Sequence, residues 1–161
     1  MRLVLVALMS TTLAGCMSMS RSATVTPLSA DLTAGGRVTE IVLTQGPGVK
    51  VTPQFESIFK SRVQAKLDAC AKGSRALRLE AAVDRLDKAN PVVTAVVAGS
   101  NVLRGSARLV DPETGLVVAD YTVGRTVIGG RFAVVVMAEA EEQLSDGFGE
   151  ELCKQAFPAT R

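Results

Sequence analysis

Reactive side chains are scarce in this 161-residue chain, and histidine is absent altogether. Without an imidazole, Ser-His-Asp and Cys-His nucleophilic catalysis, histidine-ligated zinc and histidine acid–base chemistry have no starting point. Two kinds of group remain, 3 cysteines and 16 acidic residues. Cys70 and Cys153 are too far apart to form a CxxC redox pair. Neither a Walker-type glycine loop nor a GxGxxG run occurs. Two convergent carboxylates could hydrolyse a glycosidic bond. Asp84, Asp87, Asp111 and Asp120 qualify by type, but nothing in their spacing draws two of them into one cleft. The expectation is a chain with no catalytic residue, no metal and no cofactor. Cys70 and Cys153 each close a segment of helical spacing. If those helices lie side by side and parallel, the cysteines come within the ~4.4–6.8 Å Cα separation of a disulfide. Two buried free thiols are the alternative.

Cys16 has a different setting. Arg2 precedes an apolar stretch from Leu3 to about Ala14, which closes with Leu13-Ala14-Gly15-Cys16. A basic start, a short apolar run and small residues before a cut describe a secretory signal. The run is shorter than the ~20 apolar residues needed to span a bilayer. The four closing residues resemble the lipobox of bacterial lipoproteins. That resemblance implies cleavage before Cys16, which carries lipid (with palmitate, for example) on its sulfur and its new amino group. Export would also place Cys70 and Cys153 in an oxidising compartment, which favours the disulfide. Met17 follows Cys16 where an aspartate would resemble the enterobacterial inner-membrane retention signal, so the outer membrane is favoured. Residues 1–15 are expected as signal peptide, 16–36 as a lipidated tether and 37–158 as one domain.

The elements that would position these groups follow from periodicity. Residues 17–36 carry Ser, Thr, Pro and a Gly pair, and read as a spacer; pairing of Ala23-Thr24-Val25 as an edge strand is the weaker alternative. Arg37 to Thr44 reads as a first strand. Thr52-Pro53 reads as a helix start, and Phe55, Ile58, Phe59, Val63 and Leu67 recur on one helical face. Strict alternation marks Ala76 to Leu86 as a strand, with Leu77, Leu79, Ala81 and Val83 facing one way. Leu103 to Leu109 alternates as well, and strand character resumes from Leu116 to Val123. Asp111-Pro112-Glu113-Thr114-Gly115 between them predicts a tight turn, hence an antiparallel hairpin. From about Arg131 the spacing turns helical, with Ala133, Val136, Met137, Ala140, Leu144, Phe148 and Leu152 on one stripe. Gly147 and Gly149 predict a break or bend there. Glu139, Glu141, Glu142, Asp146, Glu150 and Glu151 read as a solvated face, or otherwise a docking surface for a basic partner. The fold class expected is α+β, a mainly antiparallel sheet of about 4–5 strands with two helices on one face.

The hairpin turn, with Gly105 to Val110 before it and Val117-Val118 after it, resembles small proteobacterial lipoproteins of a domain-of-unknown-function family. Their bodies look like the α+β unit at the amino-terminal end of TolB and in the curli-secretion lipoprotein. The resemblance implies an envelope location and this fold, and it implies no catalytic residue. Net charge is +2 and aromatic residues make up 4%, so neither an electrostatic footprint nor a stacking platform for nucleic acid exists. The remaining expectation is a non-catalytic interaction or scaffolding module with an envelope protein partner, anchored to the membrane through Cys16. The alternative is a carrier of a small apolar or lipid-like ligand, lined by the apolar runs 92–98 and 127–137. Those runs otherwise read as core, a self-association edge or a membrane-facing patch.

Overall fold

Alternation along residues 75–87 produces the strand that organises the sheet. In the computed structural model, residues 17–130 and 137–158 are described. Leu13, Ala14, Gly15 and Cys16, the rest of the expected signal peptide, and Ala133 and Val136 of the expected helical stripe lie outside the described residues. Six strands form one mixed sheet: β1 (Met17–Ser20), β2 (Ala23–Thr26), β3 (Gly36–Gln45), β4 (Arg75–Asp87), β5 (Gly99–Val110) and β6 (Val117–Gly129). The order is β1-β6-β5-β4-β3, with β2 continuing the β1 edge along β6. The described helices are α1 (Ala30–Gly35), α2 (Phe55–Cys70), α3 (Pro91–Val96) and α4 (Ala140–Ala156). The architecture is α+β, as the periodicity predicts.

All strand pairs are antiparallel except β3 with β4. That pair is joined through α2, which crosses over one face and returns the chain in the same direction, as a parallel connection requires. The antiparallel registers place small residues in the middle of β5. Ala107 sits between Ala81 and Tyr121, and Gly105 between Val83 and Val123. Phe55, Phe59, Val63 and Leu67 of α2 and Leu144, Phe148 and Leu152 of α4 fill the space above, all essentially inaccessible to solvent. Phe59 and Phe148 meet edge to face at 5.0 Å. The opposite face carries Arg78, Glu80 and Arg108 in ion pairs, so one face of the sheet is core and the other is wet.

Three sequence expectations are corrected. Residues 17–36 do not stand off as a tether: β1 and β2 pair with β6, from Met17 opposite Ile128 to Thr26 opposite Asp120. The physical reason is that β6 would otherwise present a long row of unpaired backbone donors and acceptors on its outer side. Thr52 does not cap α2. The helix starts at Phe55 after Gln54, and the Thr52 hydroxyl donates to Glu141 instead. Finally, α4 runs without a break through Gly147 and Gly149. A Cβ on Gly149 would stand 2.7 Å from Lys66 Cβ and 3.3 Å from Val63 Cα, so the missing side chain lets α4 lie close against α2.

Gly149→Ala therefore sets two effects against each other. Helix propensity favours alanine by about 1 kcal/mol. Overpacking against a neighbouring helix costs about 1–3 kcal/mol, and the clash is with the stem of Lys66 rather than its mobile end. A net loss of about 1 kcal/mol is expected from urea unfolding. A raised midpoint would show that the helices can separate freely.

Candidate functional site

The amino-terminal edge of the sheet is where the candidate lipidation residue joins the domain. Met17, the residue after Cys16, is already paired in β1. Side chains of β1, β6 and α4 then fasten this edge. Ser20, opposite Arg125 in the register, donates its hydroxyl to Glu151. Arg125 reaches the same carboxylate at 2.8 Å, and Lys154 approaches it at 3.0 Å. Burial by itself raises the pKa of Glu151. The Ser20 hydroxyl, Lys154 and Arg125 together outweigh it and hold the carboxyl below its ordinary 4.5. A carboxylate kept ionised among so many donors is a fastening, not a proton donor.

A second buried carboxylate lies at the other end of α4's first turns. Glu141 accepts from the Thr52 backbone N–H at 2.8 Å, from the Thr52 hydroxyl, and from Lys88 Nζ at 2.6 Å. Burial acts to raise this pKa too, and the hydrogen bonds from Lys88 and Thr52 overcome it, leaving the group below its ordinary 4.5. Thr52, Gln54, Ile58, Lys88 and Glu142 surround it in an open depression of about 310 Å³. Its oxygens are committed to loop and strand neighbours, which ties the entry to α2 and the end of β4 to α4.

Cys70 and Cys153 form a disulfide, with Cα atoms 5.9 Å apart. The helices bearing them run parallel, since Phe59 meets Phe148, Lys66 pairs with Glu150 and Cys70 joins Cys153 in the same chain order. The expected acidic face of α4 is corrected in its middle and ends. Glu141 and Glu151 are buried, while Asp146 and Glu150 pair with Arg62 and Lys66 of α2. Helical geometry explains this: the two buried acids lie three residues before Leu144 and three after Phe148, and so flank the buried stripe.

The candidate carboxylates of the sheet are not drawn together. Asp87 pairs with Arg85 on its own strand. Asp111 shapes the hairpin turn, accepting from the backbone of Glu113 and Thr114, while Gly115 closes it at φ +70°. Among the described residues, no group of three metal-ligating side chains converges. Sequence reasoning overlooked Arg125 and Asn101. Asn101 is inaccessible, accepts from the Ala89 N–H at 2.8 Å, and donates to the Met137 carbonyl and Gln143. An asparagine two residues before an apolar alternation is the only trace it leaves in sequence. The apolar runs separate: Val127 packs beneath Met137 with Ala89 beside it, whereas the valines of 92–97 face outward.

The class these features define is an α+β domain with one sheet edge closed by the residues that directly follow a candidate lipidation site. No protein-family model matches the chain, and no curated protein does. Solved structures similar to it include a PelC dodecamer from Paraburkholderia phytofirmans, with 18% identity, 87% of this chain and 99% of that chain covered, and a TM-score of 0.47. The L103M variant of that dodecamer, at 18% identity, covers 87% of this chain and 98% of its own, with a TM-score of 0.42. A candidate lipoprotein from Caulobacter crescentus CB15 has 15% identity, with 77% of this chain and 91% of that one covered, and a TM-score of 0.49. At such identities and TM-scores nothing about function follows. None of the three is TolB or the curli-secretion lipoprotein, so that part of the resemblance gains no support.

Proposed function

We propose that this chain is a lipid-anchored protein of the bacterial envelope, held at the periplasmic side of the outer membrane through Cys16, and acting there as a non-catalytic interaction or scaffolding module. The observation that carries the reading is Leu13-Ala14-Gly15-Cys16 at the end of a short apolar run with a basic start. Two further features fit it. The chain has no histidine, and its buried carboxylates are spent on fastening the fold. The preference for the outer membrane rests on Met17 following Cys16.

Metabolic labelling with radioactive palmitate tests the anchor. The native chain is expected to take up label and Cys16→Ser to take up none, with the native protein sedimenting with outer-membrane fractions. Label retained in Cys16→Ser rejects the anchor. Crosslinking of the lipidated chain in envelopes, followed by capture, is expected to recover a protein partner. A co-purifying small lipid with no crosslinked protein would favour a carrier role instead.

A further inference from the structure

We propose that α3, together with Met17, is a membrane-resting face that dips into the lipid surface beside the anchor. The inference rests on the lipid-anchor reading of Cys16 and adds to it a second, non-covalent contact.

The first support is an inverted helix. Short helices on a protein surface bury apolar side chains and leave polar ones in water. In α3 the polar residue is inside. Thr94 is fully buried, its hydroxyl donating to the Asn90 carbonyl at 2.8 Å. The valines are outside, with Val92 77%, Val93 51%, Val96 68% and Val97 54% exposed. This is a built arrangement rather than a loose end. Asn90 caps the helix by accepting from Val92 N and Val93 N, and Gly99 leaves room for Thr94, since a Cβ there would lie 2.1 Å from its hydroxyl oxygen.

The second support is position. Met17 is paired with Ile128, and Ile128 with Ser100 at the start of β5, immediately after α3. Two strand spacings, about 10 Å, therefore separate the residue following Cys16 from Ser100, which lies four residues past the end of the valine helix. Met17 itself is 58% exposed. The covalent lipid and the exposed valines leave the domain at one end, and β1 admits no spacer between anchor and fold. Of the described charges near this end, Lys88 pairs with Glu141 and Asp87 with Arg85, while Glu139 is exposed with no ion-pair partner among the described residues and has to stay on the water side of the contact. Leu116 and Val117 are exposed as well, but they stand at the far end of β6, about 40 Å away. They provide the internal control.

The chain contains no tryptophan, so Val96→Trp and Val93→Trp each create a single reporter at a position that is already exposed. The lipidated full chain is placed in phosphatidylethanolamine–phosphatidylglycerol vesicles with brominated acyl chains. Emission from both reporters is expected to shift to the blue and to fall about twofold relative to unbrominated vesicles, as for an indole at the interface. Leu116→Trp is expected to stay unquenched. Intact mass of the same samples reads the lipid on Cys16. Lipidated protein with unquenched Val96→Trp and Val93→Trp overturns the membrane contact and leaves the anchor standing. A blue shift without quenching also overturns it, because another protein surface then covers the valines. Absence of lipid on Cys16 overturns the anchor reading and this inference with it.

Discussion

Replacing Cys70 and Cys153 together by serine is expected to lower the stability of the domain by about 4 kcal/mol. The bond closes a loop with a sequence separation of 83. In the chain-entropy account, a link over that span removes conformational freedom mainly from the unfolded chain. The native state should change little, because Phe59 against Phe148 and Lys66 against Glu150 hold the two helices in register independently of the sulfurs. Urea unfolding therefore has two readouts. The midpoint should fall, and the dependence of stability on urea should steepen as the unlinked denatured chain expands. Addition of dithiothreitol to the native protein should reproduce both changes and leave the double-serine variant unmoved. An unchanged midpoint would mean that the helix pair alone fixes this end of the domain.

Glu151→Gln is expected to cost about 2 kcal/mol at neutral pH, because it removes the nearer and more deeply buried of Arg125's two carboxylate partners and leaves only Glu150 at 3.6 Å. The Arg125 side chain is 14% exposed and that of Glu151 5%, so solvent does little to screen the pair. The Arg125 Nε is buried with no partner among the described residues, which makes the cation more dependent on the two carboxylates it does reach, Glu151 and Glu150. The loss should fall on the amino-terminal edge first, since the same carboxylate accepts from Ser20 of β1. Hydrogen exchange at residues 17–26 is expected to accelerate more than exchange in β4. The pH dependence has a definite sign. Both Glu151 and Glu141 have folded-state pKa values below their ordinary 4.5. Their contribution is therefore complete above that value and declines as pH falls through the lower folded values. Acid titration of the native protein should show this decline, and Glu151→Gln should show a smaller one. Equal acid sensitivity in the two proteins would remove Glu151 from the account.

Much of the fold was legible because its strands and helices differ in period. Ala76 to Leu86 alternates so strictly that β4 follows directly, and Asp111 to Gly115 can hardly be anything but a hairpin turn. The parallel step between β3 and β4 and the pairing of the cysteines follow from helices that return the chain over one face. The pairing of residues 17–36 escapes the sequence for a physical reason. Met-Ser-Met-Ser and Ala-Thr-Val-Thr do alternate, but both faces of β1 and β2 are exposed, so no run of large apolar residues marks them. Edge strands are held by backbone pairing, which leaves little trace in side-chain type. The burial of Glu141 and Glu151 escapes the sequence in the opposite sense. Charge suggests water, and the partners that make their burial tolerable are mostly distant in sequence, Thr52 and Lys88 for Glu141 and Ser20 and Arg125 for Glu151, with Lys154 alone close by. The exposure of the α3 valines was equally invisible, since an apolar run has the same letters inside a core or outside it.

The position of β1 also governs when the domain can form. Its strand partner begins about a hundred residues later in the chain, and Ser20 meets Glu151 across a separation of 131. A ribosome or translocation channel delivers earlier residues first, so Met17 to Thr26 must wait, unpaired, until β6 has emerged. Contacts of such span form slowly, because the intervening loop must be closed before they contribute. The order of synthesis and the order of assembly are thus opposed: β1 and β2 are made before the elements they dock on and are seated after them, so their docking reports that β6 and α4 are in place.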